Sequence, residues 1–197
     1  MRRTNEQKSA TRQRILDAAA RLFRLHGIDA VGVDAIMHAA GLTHGGFYGH
    51  FSSKEALVAE VATASLARSA ARWAKISREE SSETARQLIV GSYLAPAHAA
   101  AMEQGCMLTT LGSDMARRPE AKSGIATSVR VMLEALERCL PAQGQRQVQA
   151  SLSTMVGAVV LARLADDPML AQSFLDAARS ELLGEAASPP EAVGHKL

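Results

Sequence analysis

Disulfides cannot hold this chain together, because Cys106 and Cys139 are its only cysteines and no framework of bridges can be built from them. Aromatic residues are scarce too: four phenylalanines, two tyrosines and one tryptophan in 197 residues. The β-branched residues come in short, scattered runs, and alanine is abundant, so sheet is disfavoured and an all-α chain is expected. Long hydrophobic runs are also missing. The longest, M-V-G-A-V-V-L-A from Met155, stops at Arg163, far short of the roughly 20 apolar residues that span a bilayer. The basic start, M-R-R-T-N-E-Q-K-S-A-T-R-Q-R, leads into neither an apolar core nor the small-residue cleavage site of a secretory signal. A cytoplasmic protein with no membrane partner and with both cysteines as thiols is expected.

The usual marks of catalysis are missing as well. His38, His44 and His50 recur every six residues, whereas ligands on one helix face need a spacing of three or four, so no metal is expected. There is no Ser/His/Asp set, no phosphate-cradling glycine loop and no close carboxylate pair, hence no enzyme and no cofactor. What is present is an apolar fraction of 47%, ordinary for a folded soluble protein, and a net charge of +2, too weak by itself to imply nucleic acid. Its placement is more informative. Before Leu25 stand Arg2, Arg3, Lys8, Arg12, Arg14, Arg21 and Arg24, opposed only by Glu6 and Asp17, a basic N-terminal arm that in isolation reads equally as a solvated tail.

Apolar periodicity predicts a helix from about Ser9 to Leu25, with Ile15, Leu16, Ala19, Leu22 and Phe23 on one stripe, closed by His26-Gly27. A short helix fits Val33 to Ala40. Gly41-Leu42-Thr43 then turns, with Thr43 placed to cap a third helix from His44 to His50, and Ser52 or Ser53 placed to cap a fourth from Lys54 to Ile76. Two short helices joined by a glycine-containing turn make a helix-turn-helix. Further helices are expected at 83–94, 107–116, 120–140, 145–164 and 169–183, separated by Pro96, Gly105, Pro119, Pro141 with Gly144, and Pro168. The division predicted is a small helix-turn-helix domain at 1–53, a larger helical domain at 54–183 and a disordered tail at 184–197.

The stretch from Gly41 to Leu57 concentrates glycine between helical flanks. Glycine inside a helix costs about 1 kcal/mol relative to alanine, so close approach to another molecule's backbone is a gain to look for there. The chain resembles the TetR-type bacterial transcriptional repressors through R-I-L-D-A-A-A-R-L-F at Arg14 to Phe23, G-I-D-A-V at Gly27 to Val31, I-M-H-A-A-G-L-T at Ile36 to Thr43, and G-G-F-Y-G-H-F-S-S-K-E-A-L at Gly45 to Leu57. After residue 60 the likeness is confined to helix count and A-R-L-A-D-D-P-M-L near Ala162. The resemblance implies a homodimer, double-stranded operator DNA as partner of the domain at 1–53, and a small-molecule or stress signal received by the C-terminal domain at 54–183, which also dimerises. It assigns Thr43, Tyr48, His50 and Lys54 to phosphate, His44 and Gly46 to base-facing positions, and Gly45 to backbone approach. Phe47 and Phe51 belong to the small core. Tyr48 as a packed aromatic, His50 as a cap and Lys54 as a solvated charge are the alternatives. Gly32 and Gly46 depart from the family pattern, where threonine and a small hydroxyl or alanine are commoner.

An effector pocket is expected among the helices spanning 54–140, with Trp73, Tyr93, Met102, Met107, Leu111 and Met132 as apolar candidates against a plain core reading. Cys106, at the expected start of a helix whose free N–H groups favour a thiolate, is either an electrophile or oxidant sensor, as in a branch of the family, or a small buried hydrophobe. Leu152, Met155, Val156, Val159, Leu164, Phe174, Leu175, Ala178 and Leu182 on the last two helices are expected to form a four-helix dimer interface. The function implied is an operator-binding repressor released by an apolar ligand or an electrophile. An architectural or protein-binding module without an effector is the competing reading.

Overall fold

A computed structural model describes residues 2–140 and 144–184. The tail expected beyond Gly184 and the loop around Pro141 lie outside the described residues. Every regular element among the described residues is helical.

Helix α1 runs Arg2–His26, starting earlier than apolar periodicity suggests, since no proline or glycine interrupts its polar first turns. It stops at Gly27, whose φ of +79° is left-handed. Helix α2 is Val33–Ala39 and follows Gly32, which offers no side-chain cap. Next comes a short 3₁₀ helix, His44–Gly49. Helix α3, Lys54–Glu79, is capped by Ser53, whose hydroxyl accepts from the Ala56 N–H at 3.1 Å. Helices α4 (Ser82–Tyr93), α5 (Pro96–Ala100), α6 (Met107–Ala116), α7 (Pro119–Cys139), α8 (Gln145–Leu164) and α9 (Pro168–Leu183) complete the described chain. Prolines 96, 119 and 168 open helices instead of merely separating them, because a first-turn N–H has no intrahelical partner to lose. That is how α5 escapes a reading in which Pro96 is only a breaker.

The core is one continuous cluster from Ile15 to Leu183, with Trp73, Phe23 and Phe47 its largest fully buried side chains. Its spine is α3, which packs chiefly on α7 and also touches α1, α4 and α6. The predicted boundary at residue 54 therefore falls at the start of a helix shared by both parts. At the α3–α7 crossing Gly124 lies against Thr63, and a Cβ there would overlap the threonine side chain. Helices α8 and α9 pack on each other. Of the residues expected at a dimer interface, Leu152, Met155, Val159, Leu175, Ala178 and Leu182 are buried within the chain's own packing. Val156 and Phe174 are half-buried, and of the expected set Leu164 alone is largely exposed, at 76%. Leu161, Met169 and Leu170, not anticipated, are the apolar residues exposed beside it in sequence. Among the described residues no helix is long and apolar enough to cross a membrane.

Candidate DNA-reading face and effector cavity

The turn after α2 is closed by backbone bonds, the Gly41 N–H donating to His38 O and the Leu42 N–H to Met37 O, each at 2.9 Å. Thr43 takes the cap position, but its hydroxyl does not cap. The Gly46 N–H donates instead to the Thr43 carbonyl at 3.1 Å, so the exposed hydroxyl is left for another partner. Three glycines among six residues weaken α propensity, and the segment winds as a 3₁₀ helix. Phe47 is fully buried and stacks on Phe51 with ring centroids 5.7 Å apart, which anchors the segment to the small core as expected. Arg12 from α1 pairs with Glu60 of α3 and lies 4.4 Å over the Phe51 ring, fixing the two longer helices around it.

What this anchoring leaves outside is a polar face. Tyr48 is 66% exposed, touching Phe47 only edge-on, so it is not a core aromatic. His44 is exposed and its Nδ1 is paired with Asp34, which orients the ring and leaves Nε2 as its other polar atom. His50 is half-buried, with Nδ1 buried and unpartnered. Lys54, in the first turn of α3, has no ion-pair partner among the described residues. A cation at a helix N-terminus works against the helix dipole, whereas a phosphate there is favoured by both. The glycines have no internal reason either. A Cβ at Gly45 or Gly49 would meet nothing within 4 Å, and one at Gly46 would make only an ordinary 3.5 Å contact with Met37 Cε. The room they leave faces outward.

In the larger part, Trp73, Tyr93 and Cys106 do come together, but with polar company. They line a cavity of about 250 Å³ together with Arg68, Ser69, Arg72, His98 and Gln104. Tyr93 meets Trp73 edge-on at 5.6 Å and His98 at 4.7 Å. His98 is locked as the neutral Nδ1–H tautomer, because Nδ1 donates to Tyr93 O at 2.6 Å while Nε2 accepts the Cys106 backbone N–H at 3.2 Å. Burial is the main cause that pulls its ionisation below the ordinary histidine value, and the charges of Arg163 and Arg72 add to it, against the bond to Tyr93 O. The Tyr93 hydroxyl is buried beside the Cys106 thiol and makes no hydrogen bond of ordinary geometry. Burial, then the thiol, holds that phenol well above its usual range.

The remaining effector candidates disperse. Met107 lines a separate apolar cavity of about 370 Å³ with Leu66, Met115 and Ile125. Met102 is 38% exposed in a groove beside Pro96, Arg163 and Leu175. Leu111 and Met132 are buried in the core. Cys106 does stand at the start of α6, with its side chain buried and not capping. Cys139 is buried in α7, its Sγ donating to Ala135 O at 3.1 Å, and burial pushes that thiol up. Arg68, Arg72 and His98 were missed. The signal was available in S-L-A-R-S-A-A-R-W, where Ser65, Arg68, Ser69, Arg72 and Trp73 fall on one helical face.

Two arginines tie the N-terminal part to the larger one. Arg24 of α1 donates to the Gly105 carbonyl at 3.0 Å, next to Cys106. Arg118, before α7, pairs with Asp29 in the α1–α2 loop and with Glu55 in the first turn of α3, at 3.3 Å for the latter.

Known proteins match in two ways. The family model for bacterial regulatory proteins of the tetR family covers residues 15–61. The regulator AcrR of Shigella flexneri is 42% identical over 60 residues, 30% of this chain and 28% of that protein. The repressor KstR2 of Rhodococcus jostii is 46% identical over 54 residues, 27% of this chain and 26% of its own. The chain thus spans only about a quarter of the length of these relatives. Solved structures extend the likeness of fold. A TetR-family regulator from Agrobacterium tumefaciens superposes with a TM-score of 0.75 at 18% identity, over 92% of this chain and all (100%) of that one. The reduced form of E. coli NemR does so at 0.72 and 18% identity, over 87% and 96%. Residues 15–61 thus match the model of that family of bacterial regulatory proteins, and the described helices share their fold with TetR-family regulators.

Proposed function

We propose that the chain is a sequence-specific transcriptional repressor that binds an inverted-repeat operator as a homodimer and is released by a small molecule received in its larger domain. The observation that carries this reading is the outward face around the 3₁₀ helix: exposed Thr43, His44 and Tyr48, half-buried and unpaired Lys54 at a helix start, and Gly45 and Gly49, whose missing side chains leave open space. Such a face suits a major groove, with hydroxyl, phenol and ammonium groups on phosphate oxygens and His44 Nε2 at base edges. His50, with one ring nitrogen turned inside, meets phosphate through the other.

One head reads too few bases for a selective site, so two copies are required, and the exposed Leu161, Leu164, Met169 and Leu170 around the α8–α9 junction supply apolar surface for pairing. Release requires a ligand that binds one arrangement of the heads better than the other. The cavity beside Cys106 sits one bond from α1 through Arg24, so a guest that displaces Gly105 moves the head. Covalent modification of Cys106, whose thiol lines the same cavity, is a second route to the same displacement.

Selection of random DNA fragments by the purified chain, followed by titration against competitor DNA, tests the reading. A two-fold symmetric site preferred by about a thousandfold or more, with half-sites centred 34 to 36 Å or a multiple apart, is expected. Binding without sequence preference would favour the architectural module instead.

A further inference from the structure

We propose that the signal received by this chain is a compact organic anion with a flat apolar body, an aromatic carboxylate in its simplest form, held with its charge between Arg68 and Arg72 and its ring against Trp73 and Tyr93. The inference rests on the effector-responsive reading above.

Three observations converge on it. The first is charge. The cavity of about 250 Å³ is lined by Arg68 and Arg72 and by no carboxylate. Among the described residues neither arginine has a hydrogen-bond or ion-pair partner. They stand one helical turn apart on α3, the spacing at which two guanidinium groups face the same guest.

The second is unsatisfied polarity. Tyr93 is only 4% exposed and lines the cavity, and its hydroxyl, beside the Cys106 thiol, has no hydrogen-bond partner of ordinary geometry. Ser65, 5% exposed, has an equally unpartnered hydroxyl. It lines an adjoining cavity of about 360 Å³ that shares Arg68, Ser69 and Gln104 with the first. Leaving a buried hydroxyl without a partner costs on the order of 1–3 kcal/mol, and an acceptor-rich guest relieves that cost. The adjoining cavity also carries Asp17 and Glu103. Asp17 accepts from Gln13 at 2.9 Å and Glu103 lies 3.9 Å from Arg21, so these carboxylates have partners of their own on that side.

The third is shape. Trp73 and Tyr93 present edge-to-face rings, and His98 closes the wall as a neutral imidazole. The cavity is open on one side and its volume of about 250 Å³ is below the roughly 300–1,000 Å³ common for ligand sites, which suits a small acid. An apolar molecule of that size would offer nothing to the exposed guanidiniums of Arg68 and Arg72 or to the buried phenol of Tyr93. A cation would meet like charge.

Trp73 is the sole tryptophan and lines the cavity, so its fluorescence reports occupancy directly. The experiment titrates the full chain with benzoate, phenylacetate and 3-phenylpropionate, each against its neutral amide, with excitation selective for tryptophan. At least one acid is expected to bind tenfold or more tightly than its amide. Arg68→Gln and Arg72→Gln should erase that preference while leaving amide affinity within twofold. Tyr93→Phe should weaken the acid severalfold yet leave the unliganded protein as stable as wild type or more so, opposite signs that a merely structural tyrosine would not give. Binding of no acid, equal binding of acid and amide, or a preference that survives both arginine substitutions would overturn the proposal. No DNA is present in this measurement, so its failure leaves operator binding standing, and failure to select an operator leaves this result standing.

Discussion

At Gly41 the backbone has φ +67°, and a Cβ would fall 2.9 Å from Arg14 Nη2, so the turn between α2 and the 3₁₀ helix needs glycine for the fold itself. At Gly45 nothing in the chain lies within 4 Å of a Cβ, and the backbone is not left-handed. Gly45→Ala should therefore keep or raise stability, by up to about 1 kcal/mol, since alanine is the better helix former. It should at the same time weaken operator binding at least tenfold by holding the backbone away from DNA. Thermal melts and operator titrations of the one variant check both halves, and undiminished DNA binding would assign Gly45 to neither role. A second residue-scale prediction concerns His98. Its folded ionisation is depressed, so as pH falls below about 6.5 the unfolded chain takes up the proton first. The stability that His98 contributes is thus complete above that pH and is lost as pH falls through the window between the unfolded value and the lower folded one. Denaturation midpoints at pH 7.5 and 5.5 should differ more in wild type than in His98→Gln, which cannot titrate.

At the scale of elements, the α3–α7 crossing is set by the absence of a side chain at Gly124. Gly124→Ala would push a methyl group into Thr63 and should cost about 1–3 kcal/mol, as over-packing does. Thr63→Ala in the same chain removes the two nearest atoms and should recover part of that loss, a coupling that a double-mutant cycle of unfolding free energies measures. Helix limits from α3 to α9 were largely legible in the sequence, because prolines 96, 119 and 168, Ser53 and Gly184 punctuate it, and α6 and α8 begin and end where periodicity places them. Which neighbour an apolar stripe meets was not legible. Met155 and Val159 carry the spacing of an interface helix and are at the same time fully buried within the chain's own packing. Helical spacing puts Arg68 and Arg72 on one face with Trp73, but only folding sets that face beside His98, Gln104 and Cys106. The head was easier to read because its residues are close in sequence as well as in space, and Tyr48 needed only Phe47 and Phe51 to take the inside.

For the whole molecule, the account is of two parts sharing one helix. The N-terminal end of α3 carries the half-buried, unpaired Lys54, and further along the same helix Arg68, Arg72 and Trp73 line the cavity. A guest that shifts α3 or the Gly105–Arg24 contact therefore acts on both ends of one rigid element, without a separate linkage. The central claim remains that the exposed face at the front of α3 meets nucleic acid. The measurement that tests it most directly is the dependence of operator affinity on salt for wild type and Lys54→Ala. Each ionic phosphate contact contributes about 0.9 to the slope of log affinity against log salt, so a dimer with two heads should lose about 1.8 of slope on substitution, with affinity falling on every sequence alike. Unchanged affinity and slope in Lys54→Ala would contradict the placement of this face on DNA.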